Sequence, residues 1–199
     1  MISRRLVALL GALVAGCMAT PGVHVTTYDF GLDAPGSRSS IRLPGTLAIE
    51  PIHAPSWFDG SEIFYRLAYR DPTRRDAYSQ SHWVGPPEEL LAQRLRQKLD
   101  TAFEGGVADR EGAVASDFLL RVELGEFSQV FDTPDSSRAV VRVRASLIDV
   151  KHRRLLAKKE FDAERTAPTP DAAGAVHGLR AAGDAALDAL IDWLGAQLQ

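Results

Sequence analysis

Residues 117–163 constrain the fold more than any other part of the chain. Leu120, Val122 and Leu124 alternate there with Arg121 and Glu123, and Val141, Val143, Ala145 and Leu147 alternate with Arg142, Arg144 and Ser146. A period of two sends successive side chains to opposite faces of an extended strand, one face apolar and the other charged. The turn residues Thr133-Pro134-Asp135-Ser136 and the tripeptide Lys151-His152-Arg153 interrupt this pattern. The sequence therefore predicts three antiparallel strands, 117–131, 138–150 and 155–163, as a meander with one wet face.

Shorter strands are expected at 25–30, 46–53, 63–68 and 77–84, with a Gly-, Pro- and Ser-rich loop over 31–45. Gly85-Pro86-Pro87-Glu88-Glu89 reads as a helix start, because proline suits the first turn and acidic residues favour the positive end of the macrodipole. Leu91, Leu95, Leu99 and Phe103 continue that helix as an i, i+4 stripe up to Gly105-Gly106, with Arg94, Arg96, Gln97 and Lys98 mostly outside it. A last helix spans 171–198, its buried side marked by Leu179, Leu187, Leu190, Ile191 and Leu194. Its small residues Gly174, Gly178, Ala182 and Ala186 suit close approach to the sheet or to a second protomer, which would make a homo-oligomer. Two helices cannot cover both faces of so many strands. The expected architecture is α+β: a two-layer sandwich, a mostly antiparallel sheet with two helices packed on one face.

The 199 residues are 45% hydrophobic and 25% charged, which excludes disorder and a multispanning membrane protein. A formal charge of −3 offers no concentrated basic face for nucleic acid. A single cysteine excludes an intrachain disulfide and any CxxC site.

That cysteine, Cys17, follows a basic start (Arg4, Arg5) and an apolar run over 6–16, which is 11 residues long. A membrane-spanning helix needs about 20 residues, so the run has the proportions of a secretory signal peptide. Val14-Ala15-Gly16-Cys17 resembles the bacterial lipobox, which implies diacylglyceryl attachment at Cys17 and cleavage before it. The expected organisation is a signal peptide over 1–16, a lipidated tether over 17–24 and a single periplasmic α+β domain over 25–199. Cleavage removes Arg4 and Arg5 and leaves 21 basic against 26 acidic residues. Several acyl chains on one cysteine give stable anchoring, each buried methylene contributing about 0.8 kcal/mol. Met18, rather than Asp, follows the cysteine. By the lipoprotein sorting rule, this implies the outer membrane.

Catalytic patterns are absent. The five histidines, His24, His53, His82, His152 and His177, have no metal-ligand spacing. No serine sits in a Gly-x-Ser-x-Gly elbow, and no phosphate-binding GxxxxGK[ST] loop occurs. The expectation is a protein that is not an enzyme and holds no cofactor or metal. Lys151-His152-Arg153-Arg154 reads as a solvated turn whose charges discourage edge pairing.

A set of short motifs resembles the ABC-type transport auxiliary lipoprotein family, the group of the paraquat-inducible C-type lipoproteins. The motifs are Tyr65-Arg66 on a strand, Tyr78 and Trp83 on the next, and Pro86-Pro87 at the helix start. The sharpest part of the resemblance is 65–95. It implies a non-catalytic periplasmic component of a lipid-trafficking ABC system, with MCE-type substrate-binding proteins, permease and ATPase subunits as partners. Tyr65, Arg66, Tyr78 and Trp83 also fit a packing and hydrogen-bonding signature of the fold. The competing reading is an outer-membrane assembly lipoprotein that chaperones or plugs a β-barrel. A periplasmic hydrolase ranks third.

If Leu147 opposes Leu155 and Val122 lies beside Val143, the wet face carries a neutralising row, Glu123–Arg142–Glu160. Beside it stands a positive row, Arg121–Arg144–Lys158. That positive row would suit an acidic partner or lipid phosphate. Long side chains splaying into water is the plainer reading.

Overall fold

Strand β6 organises the molecule. The computed structural model describes residues 24–32, 41–100, 102–109 and 116–198. In chain order these form β1 (Thr26–Tyr28), β2 (Leu47–Ile49), β3 (Glu62–Leu67), β4 (Asp76–Trp83), α1 (Pro87–Leu99), β5 (Val107–Asp109), β6 (Phe118–Thr133), β7 (Ser136–Asp149), β8 (Arg154–Thr166) and α2 (Ala172–Leu198). A 3-10 turn, Ser56–Phe58, precedes β3.

One edge of β6 pairs antiparallel with β7 along its length, and β7 pairs antiparallel with β8. The other edge is shared. β2 runs parallel beside Phe118, Leu119 and Leu120, and β3 runs parallel beside Gln129, Val130 and Phe131. β5 extends the sheet beyond β2, while β4 and then β1 extend it beyond β3. The sheet therefore forks at the middle of β6. Gly125 sits at the fork, where the register slips between Leu124 and Glu126. A bulge of this kind re-aims the side chains that follow it: before it Leu120, Val122 and Leu124 alternate as the buried set, and after it Phe127, Ser128, Gln129, Val130 and Phe131 are all buried.

The expected α+β class and the antiparallel meander are present, with short parallel strands added at its flank. The ladder register differs from the expected one. Leu147 faces Ala157 rather than Leu155, and Val122 faces Ala145 rather than Val143. Each is a two-residue shift, which keeps every side chain on its expected face but changes its neighbours. Arg144 now lies between Glu123 and Glu160, and Lys158 lies opposite Ser146. The positive row does not form, because this register sets opposite charges beside each other.

α1 begins at Pro87 behind an extended Pro86 (φ −57°, ψ 139°), with Glu88 and Glu89 in its first turn. It ends at Leu99, short of the expected stop. Phe103 leaves the helix to bridge Leu43, and Leu43 N–H donates to the Ala102 carbonyl at 2.7 Å. Arg94 and Lys98, expected outside, are only 4% and 5% exposed. Both face α2, where Asp184 and Asp188 receive them: Arg94–Asp184 at 3.3 Å and Lys98–Asp188 at 2.8 Å. Arg94 also donates to the Phe30 carbonyl at 2.8 Å, which ties the segment after β1 to the helix.

α2 lies against β6, β7 and β8, and α1 packs on α2. The Asp171 carboxylate accepts from Gly174 N–H at 2.8 Å, which satisfies an otherwise orphan donor of the first turn. The small residues of α2 meet the sheet: a Cβ at Gly178 would stand 2.9 Å from that of Ala139. Leu179, Ala182, Leu187 and Leu190 join Val141, Val143, Leu120 and Leu95 in one core. β8 is one of the edge strands, with β1 and β5 at the other side of the sheet. Its Lys159 reaches back over the Phe161 ring at 5.3 Å, an inward charge that discourages a further strand.

Candidate functional site

The motif residues divide between the two faces of the sheet. On the core side, Tyr65 and Tyr78 pack with ring centroids 4.8 Å apart. Tyr78 donates its hydroxyl to Gln129 Oε1 at 2.6 Å, and Gln129 Nε2 donates to Ser137 Oγ at 2.8 Å. Gln129 is fully buried, so this chain supplies partners that water cannot. Burial pushes the Tyr78 phenol well above its ordinary pKa, with the charges of Asp171 and Tyr65 adding to the shift. It remains a neutral donor. Trp83 lies between Phe30 and Phe127, each 5.7 Å away. Pro86 and Pro87 form the entry to α1. These residues pack and pair with one another.

On the outer face, Arg66 and Arg75 share the Glu126 carboxylate at 3.1 and 3.0 Å. The Arg75 guanidinium lies 4.8 Å from the Phe58 ring centre, 5.4 Å from Phe64 and 5.8 Å from Trp57. Burial lowers the Arg75 pKa, while Glu126 works against that shift. The sequence reading missed Arg75, because it sits in an irregular stretch with no period. Only the fold brings it beside the Trp57-Phe58 turn, 17 residues away in sequence from Phe58. Trp57, on that turn, is 58% exposed.

A cavity on the outer face opens at the fork. It holds about 580 Å³ between His53-Ala54-Pro55 and the β6–β8 surface that carries Glu123, Arg142, Arg144 and Glu160. Arg144 pairs with Glu160 at 2.7 Å and with Glu123 at 3.5 Å, and Arg142 pairs with Asp162. The groove is charged but internally neutralised. Of the three residues expected to form a positive row, Arg121 is held by Glu50 at 2.7 Å, Arg144 lies between two carboxylates, and Lys158 stands apart from both. The Arg144 pairs are solvent-exposed and contribute about 0–1 kcal/mol each, whereas the Glu50 carboxylate that holds Arg121 is buried.

Among the described residues, no group of three or more His, Cys, Asp or Glu could hold a metal ion. No helix among them is long and apolar enough to cross a membrane. Cys17 lies outside the described residues.

Among curated proteins, none matches the chain. Among solved structures, protein XCC0632 from Xanthomonas campestris is similar, with a TM-score of 0.74 at 17% identity over 86% of this chain and 96% of that one. The hypothetical protein CT253 from Chlamydia trachomatis gives a TM-score of 0.51 at 10% identity, covering 78% of this chain and 98% of its own. At these identities the likeness is one of fold. The family model described as "ABC-type transport auxiliary lipoprotein component" matches residues 28–190, from β1 to the last turns of α2. The chain belongs to the ABC-type transport auxiliary lipoprotein family.

Proposed function

We propose that this chain is a non-catalytic accessory subunit of an MCE-type ABC lipid-transport system. In this reading it is held by lipid on Cys17 at the periplasmic side of the outer membrane. The observation that carries the proposal is the family match over residues 28–190, joined to the lipobox-like Val14-Ala15-Gly16-Cys17 ahead of it. Residues 17–24 act as tether and 25–199 as one periplasmic domain. The partners are the MCE-type substrate-binding protein and the permease and ATPase subunits. A non-catalytic role is supported by side chains on both faces that are engaged with one another: Tyr78 with Gln129, Glu126 with two arginines, Arg144 with two carboxylates.

The test is affinity capture of the tagged full chain from crosslinked membranes, with the captured proteins identified by mass spectrometry. MCE-type and ABC subunits are expected together and well above an unrelated lipoprotein control. Enrichment of a β-barrel assembly machine without ABC subunits would overturn the proposal.

A further inference from the structure

Of residues 24–32, only Phe30 is buried; its neighbours on both sides are exposed or half-buried. β1 holds the sheet by three residues, Thr26–Tyr28, set beside Ser81–Trp83 at one edge. The rest of β4 extends past it. Val84 N–H donates to the Tyr28 carbonyl at 2.7 Å. The chain then turns: Asp29 Oδ1 accepts from Gly31 N–H at 2.7 Å, and Gly31 takes a left-handed φ of 65° that suits glycine. Between them Phe30 leaves the surface and enters the core.

Four elements form the socket that its ring fills. Trp83 of β4 lies 5.7 Å away, edge-on, and Phe127 of β6 lies 6.1 Å away, stacked. α2 contributes Gly183, where an added Cβ would stand 3.7 Å from the ring, and Leu91 of α1 lies beside that glycine. Arg94 of α1 fastens the main chain. It donates to the Phe30 carbonyl at 2.8 Å, its guanidinium lies 6.0 Å from the ring centre, and Asp184 holds it at 3.3 Å.

This fastening is separable from the rest of the fold. The ladder of β6 with β7 and β8, and the seating of α2 on it, do not run through β1. Segments joined by few buried groups open at lower free energy than the whole fold. Trp83 supplies an independent sign. It is 2% exposed, yet its indole N–H has no partner among the described residues. A buried donor without an acceptor destabilises the closed state, and lifting the Phe30 ring uncovers that indole to water or to a ligand carbonyl. A cavity of about 130 Å³ already opens along the segment, between Val84, Leu90 and Gln93.

We propose that Thr26–Gly31 is a strap that opens as one unit while the helices and β6–β8 stay folded, and that the vacated socket takes an aromatic side chain from an extended segment of a protein partner. The present occupant defines that ligand. It needs a ring for Trp83 and Phe127, a carbonyl on the same residue for Arg94, and a second carbonyl two residues earlier for Val84. Recognition is then strand addition at the edge of β4, with one side-chain pocket giving specificity. The inference rests on these contacts and is independent of lipid at Cys17.

Hydrogen exchange of the full native chain, read by mass spectrometry, tests the strap. Residues 26–31 and Val84 are expected to exchange at least about tenfold faster than the β6–β7 ladder. Exchange of both at one common rate would overturn the proposal. Arg94→Met keeps the stem and removes the donor to the Phe30 carbonyl, so it should quicken exchange in 26–31 more than in the ladder; an equal change in both would contradict the fastening. The socket is tested with a synthetic peptide of residues 26–32 and the full-length variant Phe30→Ala. The peptide should bind this variant at least about tenfold more tightly than the native chain, whose own strap competes. The same peptide with alanine in place of phenylalanine should lose that binding. Equal binding to both chains, an alanine peptide that binds as well, or no binding to the variant would overturn the socket. A Phe30→Ala chain that no longer melts cooperatively would show that the strap is not separable, and the proposal would fall.

Discussion

Gly178 of α2 stands so close to Ala139 of β7 that a Cβ added to the glycine would lie 2.9 Å from the alanine Cβ. The contact sets the spacing between the long helix and the sheet. Gly178→Ala gains about 1 kcal/mol of helix propensity and pays an overpacking cost of about 1–3 kcal/mol. A net loss of up to about 2 kcal/mol is expected in a denaturant titration. Gly183→Ala is the control. Its nearest neighbour is the flexible Leu91 Cδ2 at 3.3 Å, and stability should stay within about 0.5 kcal/mol of native or rise.

The buried cations of α1 give a second expectation. Asp184 receives both Arg94 and Lys98, at 3.3 and 3.4 Å. Asp184→Leu leaves Arg94, 4% exposed, without this carboxylate and should cost about 2–4 kcal/mol. Lys98→Met removes a buried charge and keeps the stem, so it should change stability by about 1 kcal/mol or less. Urea titrations of the two variants check the order. Equal losses would contradict the assignment of the ion pairs.

Tyr78→Phe removes the donor to the buried Gln129 Oε1 and should cost about 1–2 kcal/mol. The same residue carries a pH signature. Its folded pKa is raised by burial above the unfolded value near 10, so the folded chain holds this proton longer. Its contribution is complete below about pH 10 and is lost as pH rises beyond that. Above pH 10 the native protein should lose stability more steeply than Tyr78→Phe, as measured by melting temperature against pH.

On the wet face, Arg144→Ala should cost at most about 1 kcal/mol, since its partners Glu123 and Glu160 are solvent-exposed. Arg144→Glu sets three carboxylates in a row and should cost more, with part of the loss recovered at high salt. Melting temperatures at two ionic strengths separate the cases.

Much of this fold could be read from local periodicity. Val141, Val143, Ala145 and Leu147 announce a strand because each apolar residue needs only its own neighbours to mark a face, and Pro86-Pro87-Glu88-Glu89 announces a helix start for the same reason. What escaped depends on partners distant in sequence. β5, Val107–Asp109, is three residues long and exists because β2 lies beside it. Arg94 and Lys98 read as surface residues until Asp184 and Asp188 are brought against them. A period of two fixes the face of Arg144 but leaves its register free in steps of two residues, and the turn geometry decides between them. The family motifs were visible as letters, while the Tyr78–Gln129–Ser137 chain that ties three strands together was not.

The functional account stands on a lipid at Cys17, and mass spectrometry of the mature N-terminus tests this most directly. The account predicts a chain that begins at Cys17, carries acyl chains there and partitions with membranes, while Cys17→Ser is released or accumulates as uncleaved precursor. A native protein that retains residues 1–16 with an unmodified Cys17 thiol, or a Cys17→Ser variant that is processed and stays membrane-bound as before, would contradict it.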